Sequence, residues 1–509
     1  MRRLPSLLAL LAATAMLMSV AFAEHRPAVF FDTNSYDVMG QDLIQTVRDW
    51  PASNHNKAAA HLTIGDRPAP ADILINNQSE GARSPFYGAF MHGVWRFATL
   101  WGVAAVQCLV TAWVVYLLWR TLAPRAPLWS YPALIAAVTL GSSISFFTTF
   151  AMPDIFAGVG GVAMVLILAQ GDRLRRAEIV GLWAVCAYSL ATHKSHLATG
   201  LLTAVGGGLL LRILGLRTRT LGPRVLAVLG AALVAAVAGA AFDHVYENRT
   251  GHRLAHPPFL MARVLADGPG RRYLRAVCPA PGQGGVPPYT LCGFQRNMSN
   301  SVNLILWSDS PTTGVFNYSS RDQRDGMEAE ETRFVVGAVT FDPLGQVTAS
   351  LRNWARQLAA FKVDDPLGDP ATYLTGPYWP TTSLPKLIPH PEACSSPGPC
   401  RPPFDEGVLA RWHGTVLAAS LLFLVWRLCR KDMRQALWSR GLKAGQEPAR
   451  VAATVLLLAV VVLANAAVCG MLAGPFPRYE ARLIWLLPVA ASLVALALPA
   501  RVMRRRRDA

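Results

Sequence analysis

The sequence predicts an all-α polytopic membrane protein of about ten transmembrane helices, with one mixed, irregular segment on the exported side. Three observations carry that expectation. Of the 509 residues, 52% are hydrophobic and only 16% charged, too apolar for an ordinary soluble chain. Apolar runs near the roughly 20 residues that span a bilayer's hydrocarbon recur at 4–23, 96–119, 128–150, 154–170, 177–192, 196–214, 222–242, 408–426, 450–472 and 482–500. Finally, the net charge of +17 is one-sided: the connections cytoplasmic in this topology carry 23 Lys and Arg against five Asp and Glu. That asymmetry is the positive-inside signal. It puts both termini in the cytoplasm and leaves no basic excess to suggest a nucleic-acid partner. The Arg- and Ala-rich composition suits the inner membrane of a bacterium.

The expected organisation has three parts. Residues 1–242 form an N-terminal transmembrane module: the first helix at 4–23, an outer loop at 24–86, and helices two to seven. Residues 243–406 form a periplasmic segment, and 407–509 the C-terminal helices. The first run begins with Arg2 and Arg3 and ends in Ala21-Phe22-Ala23, which resembles a signal-peptidase site. It is long enough to span, so a retained helix is the reading adopted, with a cleaved signal as the alternative. Either exports Glu24 onward.

The outer loop opens with Ala28–Leu43, which holds Asp32, Asp37 and Asp42, and it ends at Gly81–Gly88. Between helices three and four, Pro153 terminates one helix and Asp154 opens the next. The turn Ala191–His196 joins helices five and six, and Gly474–Glu480 precedes the last helix. Gly158–Val162, Gly206–Gly208 and Leu229–Ala241 read as small-residue faces for close helix packing. In the periplasmic segment Val347, Leu351, Trp354, Leu358 and Phe361 recur at helical spacing. That stripe either packs within the segment or lies on the membrane surface.

Cysteines divide the same way. Cys108, Cys186, Cys429 and Cys469 lie in or beside apolar helices, where a thiol packs as a small hydrophobe. Cys278, Cys292, Cys394 and Cys400 lie in the exported segment, where disulfides form. Cys278–Cys292 with Cys394–Cys400 is the simplest pairing; the sequence leaves the others open.

The acid-bearing and base-bearing turns all fall on the exported face. An ionisable group at a membrane interface is costly unless solvated, paired or functional. Carboxylates among fixed cations suit a reaction in which a hydroxyl loses its proton to a carboxylate while Arg, Lys and His hold a departing phosphate. A sugar linked to a lipid phosphate is such a donor, and membrane helices supply a groove for its tail.

The order Asp32, Ser35-Tyr36, then Arg83, Pro85 and Tyr87 resembles the first outer loop of glycosyltransferase superfamily C, polytopic enzymes that use polyprenyl-phosphate or related lipid-linked sugars. The Pro153-Asp154 turn resembles the acidic second outer loop of some members, and Pro477-Arg478-Tyr479 an Arg-Tyr element that several carry. Two departures stand. Asp32, Asp37 and Asp42 are spaced five apart where many members have adjacent acids, and Pro85-Phe86-Tyr87 differs from the commoner Pro-x-Tyr-Pro.

The resemblance implies a hexosyl- or pentosyltransferase that inverts the anomeric carbon. Its donor would be a polyprenyl-phosphate sugar, its acceptor an outer-face glycan, lipid or protein, and its surroundings membrane lipids. Asp32 would be the base, with Asp154 orienting the acceptor or a divalent cation. Asp37 is a second candidate acid. Tyr36, Arg83, Tyr87, His193, Lys194, His196, Arg478 and Tyr479 would contact substrate or lipid phosphate, with Arg482 a weaker candidate. No ligand set demands a metal.

Each residue also has a plainer reading. Asp32 would cap a helix near Asn34, and Asp37 would be a solvated helix-face residue. Asp154 would favour a helix N-terminus, and Arg478 and Arg482 would be interfacial anchors. A second functional alternative makes His193 and His196 metal ligands on one helical face, with no obvious third. The competing function is a transporter or flippase of a lipid-linked or anionic substrate. Transporters place ionisable groups at the bilayer midplane, often within repeats; here those groups cluster at helix ends.

Overall fold

The computed structural model describes residues 3–48, 83–250, 256–279, 286–368, 404–438 and 445–498, with Leu254, Leu387 and Leu442. Among the described residues every named element is helical, and the sole bridge is a parallel pairing of Ala28 with Phe150.

The N-terminal part comprises α1 (Arg3–Leu17), α2 (Phe31–Arg48), α3 (Pro85–Leu122), α4 (Ser130–Gly141), α5 (Ile155–Gln170), α6 (Arg176–Ala191), α7 (Lys194–Ile213) and α8 (Thr218–Thr250). A polar part follows with α9 (Phe259–Asp267), α10 (Pro269–Val277), α11 (Val302–Trp307), α12 (Arg321–Phe341) and α13 (Pro343–Ala359). The chain closes with α14 (Glu406–Cys429), α15 (Glu447–Ala467) and α16 (Leu486–Ala497). Among the described residues seven helices are long and apolar enough to cross a membrane: α3, α5, α7, α8, α14, α15 with its π-helical extension Val468–Ala473, and the stretch Pro477–Ala497.

The remaining three apolar runs also fold as helices, but shorter or broken ones. Run 4–23 divides into α1 and a short Ser19–Ala23 helix. Run 128–150 breaks at Ser142, whose extended backbone follows α4 and whose hydroxyl donates back to Val138 O at 2.7 Å. Such back-bonding competes with helix propagation. Run 177–192 is the 16-residue α6.

Helix α5 is the hub, buried along its whole length. Its glycines make that possible. A Cβ on Gly158 would stand 2.6 Å from the Trp485 ring, and one on Gly161 2.6 Å from Val461. Gly207 of α7 is similarly pressed on Leu457. The Leu229–Ala241 stretch behaves differently from expectation. Ala231, Ala232 and Ala235 are buried, but Leu233, Val234 and Val237 are exposed, and nothing stands near Gly230 or Gly239. Only one face of α8 packs.

Two corrections concern the polar regions. The loop expected at 24–86 contains α2, an 18-residue helix buried most of the way round, whose buried residues are mainly polar (Asp32, Thr33, Asn34, Ser35, Asp37 and Thr46, with Tyr36 and Met39 among them). It crosses α3 by direct backbone contact: a Cβ on Gly88 would lie 2.2 Å from Tyr36 O, and one on Gly40 2.2 Å from the Gly88 carbonyl. The segment expected to be mixed and irregular is, where described, a helical unit. Met261, Leu265, Leu306, Met327 and Phe334 form its own core. The Cys278–Cys292 disulfide is formed, whereas Cys394 and Cys400 lie outside the described residues. Helix α8 runs to Thr250, through the boundary expected at 242.

The glycine crossing generates a prediction. Gly88→Val forces α2 off α3 and should lower stability by about 3 kcal/mol or more, above the usual overpacking cost because backbone cannot yield as side chains do. Gly93→Ala, five residues on with nothing within 4 Å of its added carbon, should leave stability unchanged or raise it by a few tenths of a kcal/mol. Thermal unfolding midpoints of the two purified variants in one detergent check the contrast.

Candidate functional site

A cavity of about 600 Å³ opens where α2, α7, the π-helical end of α15 and the polar helical unit meet. Most of its wall is apolar: Phe30, Phe259, Val302, Trp307, Val468 and Leu472 contribute. Its charged groups gather around Arg478.

Three carboxylates from separate parts of the chain surround that guanidinium. Asp32 Oδ2 is 3.9 Å from Arg478 Nη2, Asp154 Oδ1 is 3.7 Å from Nε, and Asp365 Oδ2 is 3.1 Å from Nη1. Arg478 also lies over the Phe30 ring, 4.6 Å from its centroid, a favourable cation–π position. Its Nε and Nη1 are nevertheless buried without a hydrogen bond among the described residues. A buried charge missing its partner costs several kcal/mol, so these contacts hold four parts of the chain together.

Local folding explains how each carboxylate arrives. Asp32 stands in the first turn of α2, where a helix N-terminus favours an acid. The strand-like bridge pins that turn: Ala28 N donates to Thr149 O at 3.1 Å, and Ala151 N to Ala28 O at 2.8 Å. Thr33 Oγ1 donates to Ala151 O at 3.2 Å. The same turn carries Asp154 at the start of α5. Asp365 comes from a short 3-10 turn after α13.

Two more arginines complete the network. Arg83 Nη2 donates to Asp32 Oδ1 at 2.5 Å. Burial works against the Arg83 charge, but Asp32 beside it more than compensates and raises its pKa. Arg482 is 1% exposed and reaches Asp154 Oδ1 at 3.4 Å, Ser195 Oγ at 3.1 Å and Asn465 Oδ1 at 3.0 Å.

On the opposite wall Lys194 Nζ lies 2.8 Å from His256 Nδ1, and His256 Nε2 lies 3.4 Å from Asp243 Oδ2. The His256 amide donates to Glu328 at 3.0 Å. This chain fixes the Lys194 side chain at the cavity edge and links α7, α8 and α12.

Of the residues expected at the site, Asp32, Tyr36, Arg83, Asp154, His193, Lys194, Arg478 and Tyr479 line the cavity. Three do not. Asp37 faces the other way and accepts from His92 Nδ1 at 2.8 Å, Trp95 Nε1 at 2.7 Å and Gln41 at 3.1 Å; those bonds use its carboxylate to lock α2 on α3. Tyr87 donates to Gln107 at 3.0 Å, and Gln107 in turn donates to Thr148 O and Phe150 O. It supports the bridge from behind. His196 is buried with Nδ1 3.1 Å from both Ser189 O and Thr192 Oγ1. His193 caps α7, accepting from the Ser195 amide at 3.1 Å.

Asp365, His256 and Trp307 were not anticipated. Asp365 follows Asp364 and precedes Pro366, and that acidic turn was the only signal. Among the described residues no group of three or more His, Cys, Asp or Glu side chains could hold a metal ion. No family model matches the chain, and no curated protein or solved structure does so.

Burial, opposed by Arg478, raises the pKa of Asp365 to about 6. Above that pH Asp365 is ionised and competes with any anion for Arg478; below it the competition ends. Binding of a phosphodiester lipid, whose own charge does not change in this range, should therefore tighten roughly tenfold as pH falls from 7.5 to 5, the effect of about one pKa unit of coupling. Asp365→Asn should abolish that dependence and bind tightly at both values. Calorimetric titration at the two pH values checks both.

Proposed function

We propose that the chain is an integral membrane glycosyltransferase of the superfamily-C type. It moves a hexosyl or pentosyl group from a polyprenyl-phosphate carrier to a hydroxyl of a glycan, lipid or protein. The cavity would open at the periplasmic face of a bacterial inner membrane, with both chain termini cytoplasmic. The observation that carries this reading is the Arg478 guanidinium, buried among Asp32, Asp154 and Asp365 in a mainly apolar cavity, with Nε and Nη1 making no hydrogen bond among the described residues.

The donor's parts match the wall. Its phosphate takes Arg478 Nε and Nη1 in place of their ion-pair partners Asp154 and Asp365, with Arg83 and Lys194 alongside; planar guanidinium groups bind phosphate oxygens by charge-assisted hydrogen bonds. The first isoprene units run along Val468, Leu472 and Ala473, whose helix also faces outward at Leu472. Aromatic rings at Phe30, Tyr36 and Trp307 flank the space left for the sugar.

In the transfer step the acceptor oxygen bonds to the anomeric carbon as the bond from that carbon to the phosphate oxygen breaks. The acceptor proton passes to an Asp32 oxygen, and the carrier phosphate leaves with one additional negative charge. Arg478, Arg83 and Lys194 stabilise that charge where it develops. Attack opposite the leaving phosphate inverts the anomeric centre. Asp154, held by Arg482, orients the acceptor hydroxyl. The divalent cation considered for Asp154 finds no three-ligand set among the described residues, and the step draws on none.

Transfer of radiolabelled sugar from a polyprenyl-phosphoryl donor by the purified full chain in proteoliposomes is the test. Asp32→Asn should lower kcat by about 100-fold or more, the usual range for a lost general base, and Arg478→Met should lower donor affinity and kcat together. Asp37→Asn should lower the thermal midpoint while kcat of the folded fraction stays within about threefold of wild type. Undiminished turnover in Asp32→Asn would remove it from the mechanism. Passage of labelled donor across the membrane without transfer would favour the transporter reading.

A further inference from the structure

Helices α12 and α13 carry a surface that the cavity does not use. They bend by 105° where they meet, and only together do they reach the length and apolarity of a membrane segment. On α13 the inward face is the polar one. Gln346 and Asn353 each donate to Asp267 at 2.8 Å, while Gln357 donates to Phe476 O at 2.8 Å and accepts from Phe476 N at 2.9 Å. All three are buried. The apolar face points out: Leu344 is 80% exposed, and Val347, Leu351, Phe341 and Val336 are exposed with it. A helix on a soluble domain shows the reverse arrangement.

Its position says what covers that face. Trp354 Nε1 donates to Leu463 O at 3.2 Å, ten residues before Ala473, where the α15 span ends. At 1.5 Å per residue that is roughly 15 Å down the span, within the depth of one leaflet's hydrocarbon. The contact is flush, since a Cβ on Gly470 would meet Asn353 O at 2.7 Å. Leu463 and Leu472, exposed on the same span, continue the apolar surface. Arg352 and Arg356, also exposed, stand one turn apart beside the stripe, as cations do next to lipid headgroups.

We propose that α12 and α13 form a re-entrant pair whose Phe341–Leu351 corner is seated among the acyl chains of the leaflet at the cavity end. Arg352 and Arg356 lie toward its phosphates. The seat has a consequence inside the protein. Gln357 clamps the backbone of Phe476, two residues before Arg478, so lipid contact on one face of α13 holds the Arg478 loop on the other. Neither statement depends on the transfer chemistry.

The test places single nitroxide labels at positions 344, 347 and 351, with one at Asp322 for comparison, in the full chain carrying Cys394→Ser, Cys400→Ser and Cys429→Ser. The protein is reconstituted in nanodiscs of phosphatidylethanolamine and phosphatidylglycerol. Power saturation should find the first three reachable by oxygen and shielded from a nickel chelate, and position 322 open to nickel. Nickel access at 344, 347 and 351 would overturn the proposal, because the face would be in water. Shielding from both reagents would overturn it too, because protein, such as a second copy, would cover the face. For the clamp, Leu344→Glu with Leu351→Glu should speed amide hydrogen exchange at Phe476, Arg478 and Tyr479 about tenfold, as local opening becomes easier. Unchanged exchange there would refute the coupling.

Discussion

A guanidinium carried into low-dielectric surroundings must be neutralised nearby, and Arg478 meets that demand with carboxylates from three distant parts of the chain. Asp32 comes from the first turn of α2, Asp154 from the turn before α5, and Asp365 from beyond the polar unit. Each of those elements is fixed against the last span because separating it would strand a charge. Arg83 and Arg482 tighten the same network from either side. Three guanidinium groups thus face three carboxylates, so an anion entering the cavity displaces an existing partner. Binding and the protonation of Asp365 are coupled for that reason.

The scaffold around the network is built to hold it still. Backbone contact at Gly40 and Gly88 fixes α2 on α3, Asp37 locks the far side of α2 through His92 and Trp95, and the Ala28–Phe150 bridge fixes its start. The opposite wall departs from regular geometry. Helix α15 ends in a π-helical turn at Val468–Ala473, a form that accumulates at functional sites. That turn faces the cavity, and the same end of the helix supports α13.

Much of this was legible in the sequence, because apolar run length and charge asymmetry decide which turns share a face of the membrane. That puts Asp32, Arg83, Asp154, Lys194 and Arg478 in turns expected on one face, and the structure gathers all five in one cavity. What topology cannot resolve is the direction of a side chain within a turn. Asp37 lies five residues beyond Asp32, roughly 140° around a helix of 3.6 residues per turn, so it points to α3; Tyr36, four residues on, shares the Asp32 face. The loop expected at 24–86 concealed α2 because most of its buried residues are polar and leave no clear hydrophobic period. Asp365 and His256 lie in connections on either side of the polar unit's helices, outside any helical period, and reach the site by tertiary folding. The stripe was visible, but not that it divides: Leu358 and Phe361 pack against the large helical core, while Val347 and Leu351 are exposed and the polar Gln346, Asn353 and Gln357 beside them are the buried ones.

The central claim is that the Arg478 cluster receives the phosphate of a lipid carrier. A cryo-EM structure of the full chain with a non-hydrolysable polyprenyl-phosphoryl sugar tests it most directly. The account predicts phosphate density within hydrogen-bonding distance of Arg478 Nε or Nη1, its prenyl tail along Val468–Ala473 and its sugar beside Asp32. Phosphate density anywhere else on the protein, with the Arg478 cluster unchanged, would contradict it.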